Sequence, residues 1–354
     1  MNLPGFSPSR KPKDRDFVET LEGLLFCIVG YEHPPDKYIA YLKYSPATSG
    51  PWQRSGTAYH RELAFYHAHQ VAVTIAELEQ QYPQYVHDSP VWDMRFSMVP
   101  VERAHTYYTP ETRLAQIMAH PMDALEEATV HVVEEIQRAA AIPLSALGVT
   151  GSILLGIHSP AFSDIDLTIY GRASARRLRD VMTGLALAGA SPMDAAYVDE
   201  WCQGVVKHHA LTYAQAYWLI SRRWNFVYFG SGRHTISLHP TRADAEITEV
   251  YGEHTYHDIG VARLTATLTG TQDAIFLPAI YQIGSVAVLE GAPVEIVEIC
   301  AYEGLFAQIG EIGQRIEARG KLERIDQGPL HRLVVGSSHP SGSEYLLPVE
   351  ILTP

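Results

Sequence analysis

The chain has 354 residues, of which 46% are hydrophobic and 19% charged, with a formal net charge of −13. The length suits two or three domains at about 150 residues each, and the balance excludes a mainly disordered protein. The acidic charge argues against a general nucleic-acid coat, which would draw its affinity from neutralising phosphates, but it leaves room for a local basic groove or for a nucleotide held through metal ions.

The start, MNLPGFSPSRKPKDRDF, reads as a loose polar arm without an apolar core, so no signal peptide is expected. No run of about 18 apolar residues occurs, so no transmembrane helix is expected. Cys27, Cys202 and Cys300 are scattered with no CxxC spacing, which points to a reducing cytoplasm. From Asp16, apolar residues on either side of Glu22-Gly23 predict a hairpin, and Tyr38 to Tyr44 a third strand. Mixed helix and loop are expected from Tyr59 to Tyr108. Pro110 then opens a helical region in which Leu114, Ile117, Leu125, Val132, Val133 and Ile136 recur at three and four spacing. Pro121 should split it and Pro143 end it. Short strands follow at Ala146 to Thr150 and Ile165 to Tyr170, then an arginine-rich helix. Two helices are expected at Asp194 to His209 and Tyr213 to Trp224, and a hairpin joins Phe226 to Phe229 with Thr235 to His239. After Tyr251 short alternating strands with glycines between them suggest a small closed barrel. These include Ile275 to Ile283 and Ser285 to Leu289 as separate strands. The expected class is α+β multidomain: an N-terminal α+β unit (1–110), a central mixed sheet with helices (111–245) and a C-terminal small β-barrel (246–354).

The chemistry concentrates in residues 148–171, GVTGSILLGIHSPAFSDIDLTIYG. A strand runs into Gly151-Ser152, and after an eleven-residue spacer Asp164-Ile165-Asp166 opens the next strand. Gly151 allows a tight turn and close approach of a ligand. Ser152, with the N–H groups that follow, offers donors to phosphate. Period two on a strand sends Asp164 and Asp166 to one face. Two carboxylates so close repel unless a cation lies between them, and hard cations such as Mg²⁺ prefer such oxygens.

This arrangement resembles the DNA polymerase β-type nucleotidyltransferase superfamily. The wider chain is similar to uncharacterised archaeal and bacterial predicted nucleotidyltransferases, through RDFVETLEGLLF (15–26), residues 148–171, AIFLPAIYQI (274–283) and RIEARGKLE (315–323). The resemblance implies a central nucleotidyltransferase fold and Mg²⁺-dependent transfer of a nucleoside monophosphate from an NTP to an acceptor hydroxyl on RNA, protein or a small molecule. It implies that Gly151 and Ser152 hold the triphosphate, while Asp164 and Asp166 are catalytic and bind two Mg²⁺ ions. The family pattern adds a third carboxylate on a later strand. The matching strand here is Arg233 to His239, whose alternating face carries Thr235, Ser237 and His239, with Ser237 at the acid's position. Asp244, Glu246, Asp194, Asp199 and Glu200 are the acids that could be recruited instead.

Arg233, beside Gly230 and Gly232, is a candidate phosphate contact. Arg172, Arg176, Arg177 and Arg179 read as a solvated helix face. The histidine groups (His60, His67 and His69; His208 and His209; His254 and His257) match no metal-ligand spacing. Tyr213, Tyr217 and Trp218 read as core, with base stacking as the alternative. The competing functional reading is a nucleotide- or RNA-binding protein on this fold without transferase activity. A purely interacting role for the barrel is a third.

Overall fold

The computed structural model describes residues 10–62, 68–184, 186–231, 233–337 and 343–352. Most of the N-terminal arm, His67 and Gly232 lie outside the described residues, as does the side chain of His69. The fold is α+β, with three sheets drawn from successive stretches of chain.

The first sheet contains β1 (Phe17–Thr20), β2 (Leu25–Ile28), β3 (Lys37–Ala47), β4 (Trp52–Arg54) and β5 (Thr57–Arg61). After helix α1 (Ala68–Gln81) come β6 (Val86–Ser89), β7 (Met94–Pro100) and β8 (Ala104–Tyr108). The order is β4-β5-β3-β2-β1-β8, with β7 joined to β3 and β6 to β7. The β1–β2 hairpin forms at the expected turn, with Phe17 opposite Cys27. The expectation of mixed helix and loop from Tyr59 to Tyr108 is corrected. Three strands follow α1, and their interleaved His, Arg and Ser residues break the alternation that would have revealed them.

Helices α2 (Pro110–Ala119) and α3 (Ala124–Ala140) flank Pro121 as expected, and Asp123 caps α3 by accepting from the N–H groups of Leu125 and Glu126. The second sheet follows. It comprises β9 (Leu147–Val149), β10 (Ile165–Tyr170), β11 (Ala190–Ser191), β12 (Phe226–Phe229) and β13 (His234–Thr241), in the order β11-β12-β13-β10-β9. β9 is antiparallel to β10, and β13 is parallel to it. Helix α4 (Gly151–Leu155) joins β9 to the loop before β10, and α5 (Arg172–Thr183) follows β10. On α5, Arg176 and Arg177 are exposed and Arg172 is half-buried.

Helices α6 (Ala195–His208) and α7 (Tyr213–Ser221) come between β11 and β12 in the chain. The third sheet has β14 (Tyr256–Asp273), β15 (Ala279–Glu290), β16 (Ile296–Ala301), β17 (Arg315–Ile325), β18 (His331–Val335) and β19 (Tyr345–Pro348), before a last turn α8 (Val349–Leu352). Its pairings run in a ring through β14, β15, β16, β18 and β17, with β19 also on β17. The two strands expected within 275–289 are one, β15, preceded by a turn.

The chain folds as two compact units, each assembled from non-contiguous segments. One comprises 1–64, 97–193 and 224–249, and so holds the second sheet and most of the first. Within it, Phe17, Leu25, Cys27, Tyr44 and Tyr59 of the first sheet share a core with Leu154, Leu155 and Ile157. The other comprises 65–96, 194–223 and 250–354. There, Cys202, Val205, Leu211, Ala216 and Leu219 of the α6–α7 hairpin share a core with the strands of the third sheet. On α7, Tyr213 and Tyr217 are 45% and 54% exposed, which corrects their reading as core; Trp218 is partly buried against that core. No helix among the described residues is long and apolar enough to cross a membrane.

Candidate active site

The Gly-Ser segment is held in place from both sides. The Thr150 N–H donates to the Asp166 carbonyl (2.8 Å), and its hydroxyl donates to the Arg15 carbonyl (2.7 Å). Gly151 then turns at φ +66°, and a Cβ there would overlap Asp166 Oδ2. Only glycine allows this turn and this approach together. Ser152 lies in α4 and is buried, its carbonyl accepting from the Ile157 N–H (3.1 Å). α4 spans five residues and ends at Gly156, which adopts a left-handed conformation.

Asp164 immediately precedes β10, and Asp166 lies on it. In the parallel register Asp166 stands beside Ser237 of β13. The Ser237 hydroxyl donates to Asp166 Oδ1. With its single proton committed there, Ser237 Oγ accepts from His239 Nε2 at 3.0 Å, which assigns the Nε2–H tautomer. His239 Nε2 is also 3.6 Å from Asp166 Oδ1. Thr235, Ser237 and His239 thus share one face of β13 toward the two aspartates, where Thr235 favours the charged form of Asp164.

The electrostatics separate the two carboxyls. Asp164 is open to solvent as a residue, yet partial desolvation of its carboxyl and then the Asp166 charge push its pKa up to about 6, against relief from Thr235 and Arg61. For Asp166 burial works in the same upward direction but is outweighed by His239, Lys43 and the Ser237 hydroxyl, so it is held well below the usual carboxylate range. Burial and then the nearby Arg15 charge push His239 down to about 4. His239 is therefore neutral at pH 7, and its cationic help to Asp166 operates only in acid, where Asp166 would otherwise take up a proton. Lys43, Arg61 and Arg15 come from the first sheet or the loop before it, and no local sequence signal marks them.

Arg233 stands at the β12–β13 turn, exposed, in a left-handed conformation (φ +51°), its guanidinium 4.2 Å from the Tyr228 ring centroid. Tyr228 pairs with Thr235 across the hairpin, so Arg233 belongs to the end of β13 that meets Asp164. The acids considered as replacements for a third carboxylate serve elsewhere. Asp244 pairs with Lys13 (3.3 Å), and Glu246 accepts from the N–H groups of Arg172 and Ala243, both beyond the far ends of β10 and β13. Asp194 caps α6, and Asp199 accepts from the Tyr213 hydroxyl (2.8 Å). Glu200 lies within α6. β13, HTISLHPT, contains no acid.

A second group, Asp123, Glu126 and His158, brings ligand atoms within 4.8 Å of one another. Its groups are already engaged. Asp123 caps α3 and contacts His158 Nε2 (2.9 Å), while Glu126 binds Arg113 and the Met122 N–H. The Arg113 guanidinium already pairs with Glu126.

No family model matches the chain. Over 345 residues it is 26% identical to an uncharacterized protein of Methanocaldococcus jannaschii, MJ1086, a likeness that covers 95% of this chain and 98% of that protein. No solved structure matches.

Proposed function

We propose that this protein is a magnesium-dependent nucleotidyltransferase of the cytoplasm, moving a nucleoside monophosphate from an NTP to an acceptor hydroxyl on RNA, protein or a small molecule. The observation that carries the reading is the pair Asp164 and Asp166 at the start of β10, with the Gly151 turn closed against the Asp166 carboxylate. The sheet supports it: an antiparallel β9–β10 pair connected through a short helix, with β13 parallel beside β10. The three free, buried cysteines support a reducing compartment.

Two carboxylates form a hard oxygen donor set, which fits Mg²⁺. Held by Asp164 and Asp166, the metal would offset phosphate charge and lower the pKa of the acceptor hydroxyl. The chain's own residues do the rest. Ser237 and His239 fix the Asp166 carboxylate in its ionised form. Gly151, lacking a side chain, lets the turn close on the Asp166 carboxylate, and Arg233 supplies an exposed guanidinium. The acceptor oxygen attacks the α-phosphorus, its bond to pyrophosphate breaks, and the acceptor's proton leaves to solvent. Positioning carries the rate, with no covalent enzyme intermediate.

The test incubates purified protein with each α-labelled NTP and Mg²⁺ against pooled RNA and protein acceptors, beside the Asp164→Ala/Asp166→Ala variant. Label transfer or pyrophosphate release is expected from the wild type alone. Equal turnover by the variant would sink the reading.

Ser237 beside Asp166, where the resemblance implies an acid, favours a second reading: a nucleotide- or RNA-binding protein without transferase activity. The ring of strands β14–β18 would then serve as an oligonucleotide-binding surface. Salt-dependent RNA affinity that survives loss of both aspartates, with no turnover, would select it.

A further inference from the structure

Helix α7 turns aromatic rings toward solvent. Its inner stripe, Ala216 and Leu219, is buried in the core of the third sheet, as amphipathic spacing requires. The opposite stripe should be polar, yet it carries Tyr213 and Tyr217 at i,i+4, with the small residues Ala214 and Ser221 exposed beside them. The Tyr213 hydroxyl is committed to Asp199 of α6, which fixes its ring at the surface. Tyr217 is the more exposed ring and has no hydrogen-bond partner among the described residues. Arg222 is exposed one turn beyond the partly buried Trp218, its guanidinium 4.9 Å from that ring's centroid. No carboxylate among the described residues pairs with it. Arg223 is engaged over the Trp201 ring (5.5 Å) and is not counted in the face.

The charge of this stretch opposes that of the whole chain. The chain carries −13, but residues 201–242 contain no acid, and Lys207, Arg222, Arg223, Arg233 and Arg242 all fall within them. The acids of the α6–α7 hairpin lie in or before the first half of α6. Asp194 caps that helix, Asp199 accepts from Tyr213 and Gln203, and Glu200 is exposed. A guanidinium stacked on a ring keeps its N–H donors in its own plane, directed outward, so Arg222 retains them for an oxyanion. Exposed rings beside such a donor match a ligand that offers flat π-faces and phosphates together. A second copy of the chain fits less well. A two-fold contact through this face would set Arg222 against its own equivalent, and α7 has no acid to answer either.

We propose that the α7 face formed by Tyr213, Tyr217, Trp218 and Arg222 binds single-stranded nucleic acid, with bases stacked on the tyrosine rings and a backbone phosphate on Arg222. The surface is independent of Asp164 and Asp166, and it lies on the helical hairpin and not on the ring of strands β14–β18.

The experiment is fluorescence anisotropy of the full chain with a labelled oligoadenylate of about twelve nucleotides, its duplex with oligouridylate, and an abasic strand of the same length. The single strand should bind at least about tenfold more tightly than the duplex or the abasic strand, because both withhold the base faces. Tyr217→Ala should weaken it about tenfold without changing its salt dependence, and Tyr217→Phe should restore it. Arg222→Gln should weaken it and lower the salt slope by about one. Both side chains are exposed, so these variants keep the fold. Equal binding of the abasic strand, or wild-type affinity in both Tyr217→Ala and Arg222→Gln, overturns the proposal. So does sedimentation that shows a dimer abolished by Tyr217→Ala while oligonucleotide binding stays unchanged, because a second copy then covers the face. The Asp164→Ala/Asp166→Ala variant should bind the strand as the wild type does. Loss of binding there would place the strand at the aspartates and overturn the proposal. Turnover that survives the double substitution, with strand binding still lost in Tyr217→Ala, defeats the transferase reading alone and upholds this surface.

Discussion

Two carboxylates set on strands in this protein are treated in opposite ways. Glu323 on β17 is 3% exposed in its side chain and clamped within its own sheet, Oε1 by Lys321 at 2.5 Å and Oε2 by Arg332 at 2.7 Å. Arg332 is its register partner on β18, and its guanidinium also lies 3.5 Å from the Tyr256 ring centroid. Asp166 on β10 is 26% exposed, and its close partners, Ser237 and His239, are uncharged at pH 7. The lysine whose charge acts on it, Lys43, comes from a different sheet. A carboxylate whose oxygens are both neutralised by direct contact has no capacity left for a ligand. One held ionised by neutral donors, with an oxygen directed at a glycine turn, keeps its charge available.

This contrast can be broken at either end. The largest effect is expected at Glu323. Glu323→Gln leaves Lys321 and Arg332 buried without their shared anion and should cost about 3–5 kcal/mol of stability, read as a lower denaturation midpoint. A loss under about 1 kcal/mol would show that the cluster is solvated in practice. At the other end, Gly151→Ala forces a left-handed alanine against Asp166 and should cost about 1–3 kcal/mol while abolishing Mn²⁺ binding. Wild-type metal affinity in that variant would separate the turn from the carboxylate site.

The smallest effect is a pH dependence away from both places. His33 Nδ1 accepts the Ile39 N–H (3.1 Å), and burial pushes His33 down to about 4. Above about pH 6.5 folded and unfolded chains are both neutral here, so stability is constant. As pH falls from there toward 4 only the unfolded chain gains the proton, so stability declines. His33→Asn offers a carbonyl oxygen in place of Nδ1, and its melting temperature should fall less between pH 7 and 4.5. His239 contributes a similar slope in both proteins, so the difference between them is the measure. Identical slopes would remove His33 from the account.

The parts of the site written in local pattern were legible in the sequence. β10 has the bounds that its apolar alternation predicts, and Ser237, which the resemblance sets at the acid's position on the later strand, stands beside Asp166. Proline chemistry locates the break between α2 and α3. What escaped is set by distant chain. Lys43 and Arg61 precede Asp166 by 123 and 105 positions, and nothing in their own strands marks them as facing it. Tyr213 and Tyr217 have helical spacing, but the face of α7 they occupy depends on which part of the chain α7 packs against. The length of β15 was hidden because Gly284 looks like punctuation; instead it pairs with Thr267 inside the sheet.

The β10–β13 pairing has a consequence in time. Its partners are 71 positions apart, and α5, α6 and α7 all lie between them. A chain emerging from the ribosome completes β9, the glycine turn and β10 well before β13 exists. During that interval Asp166 lacks Ser237 and His239, and one side of β10 is an unpaired edge open to the wrong strand. A product that ends between Asp166 and Ser237 therefore carries both aspartates and no assembled site, and would be a natural target for chaperones and proteases.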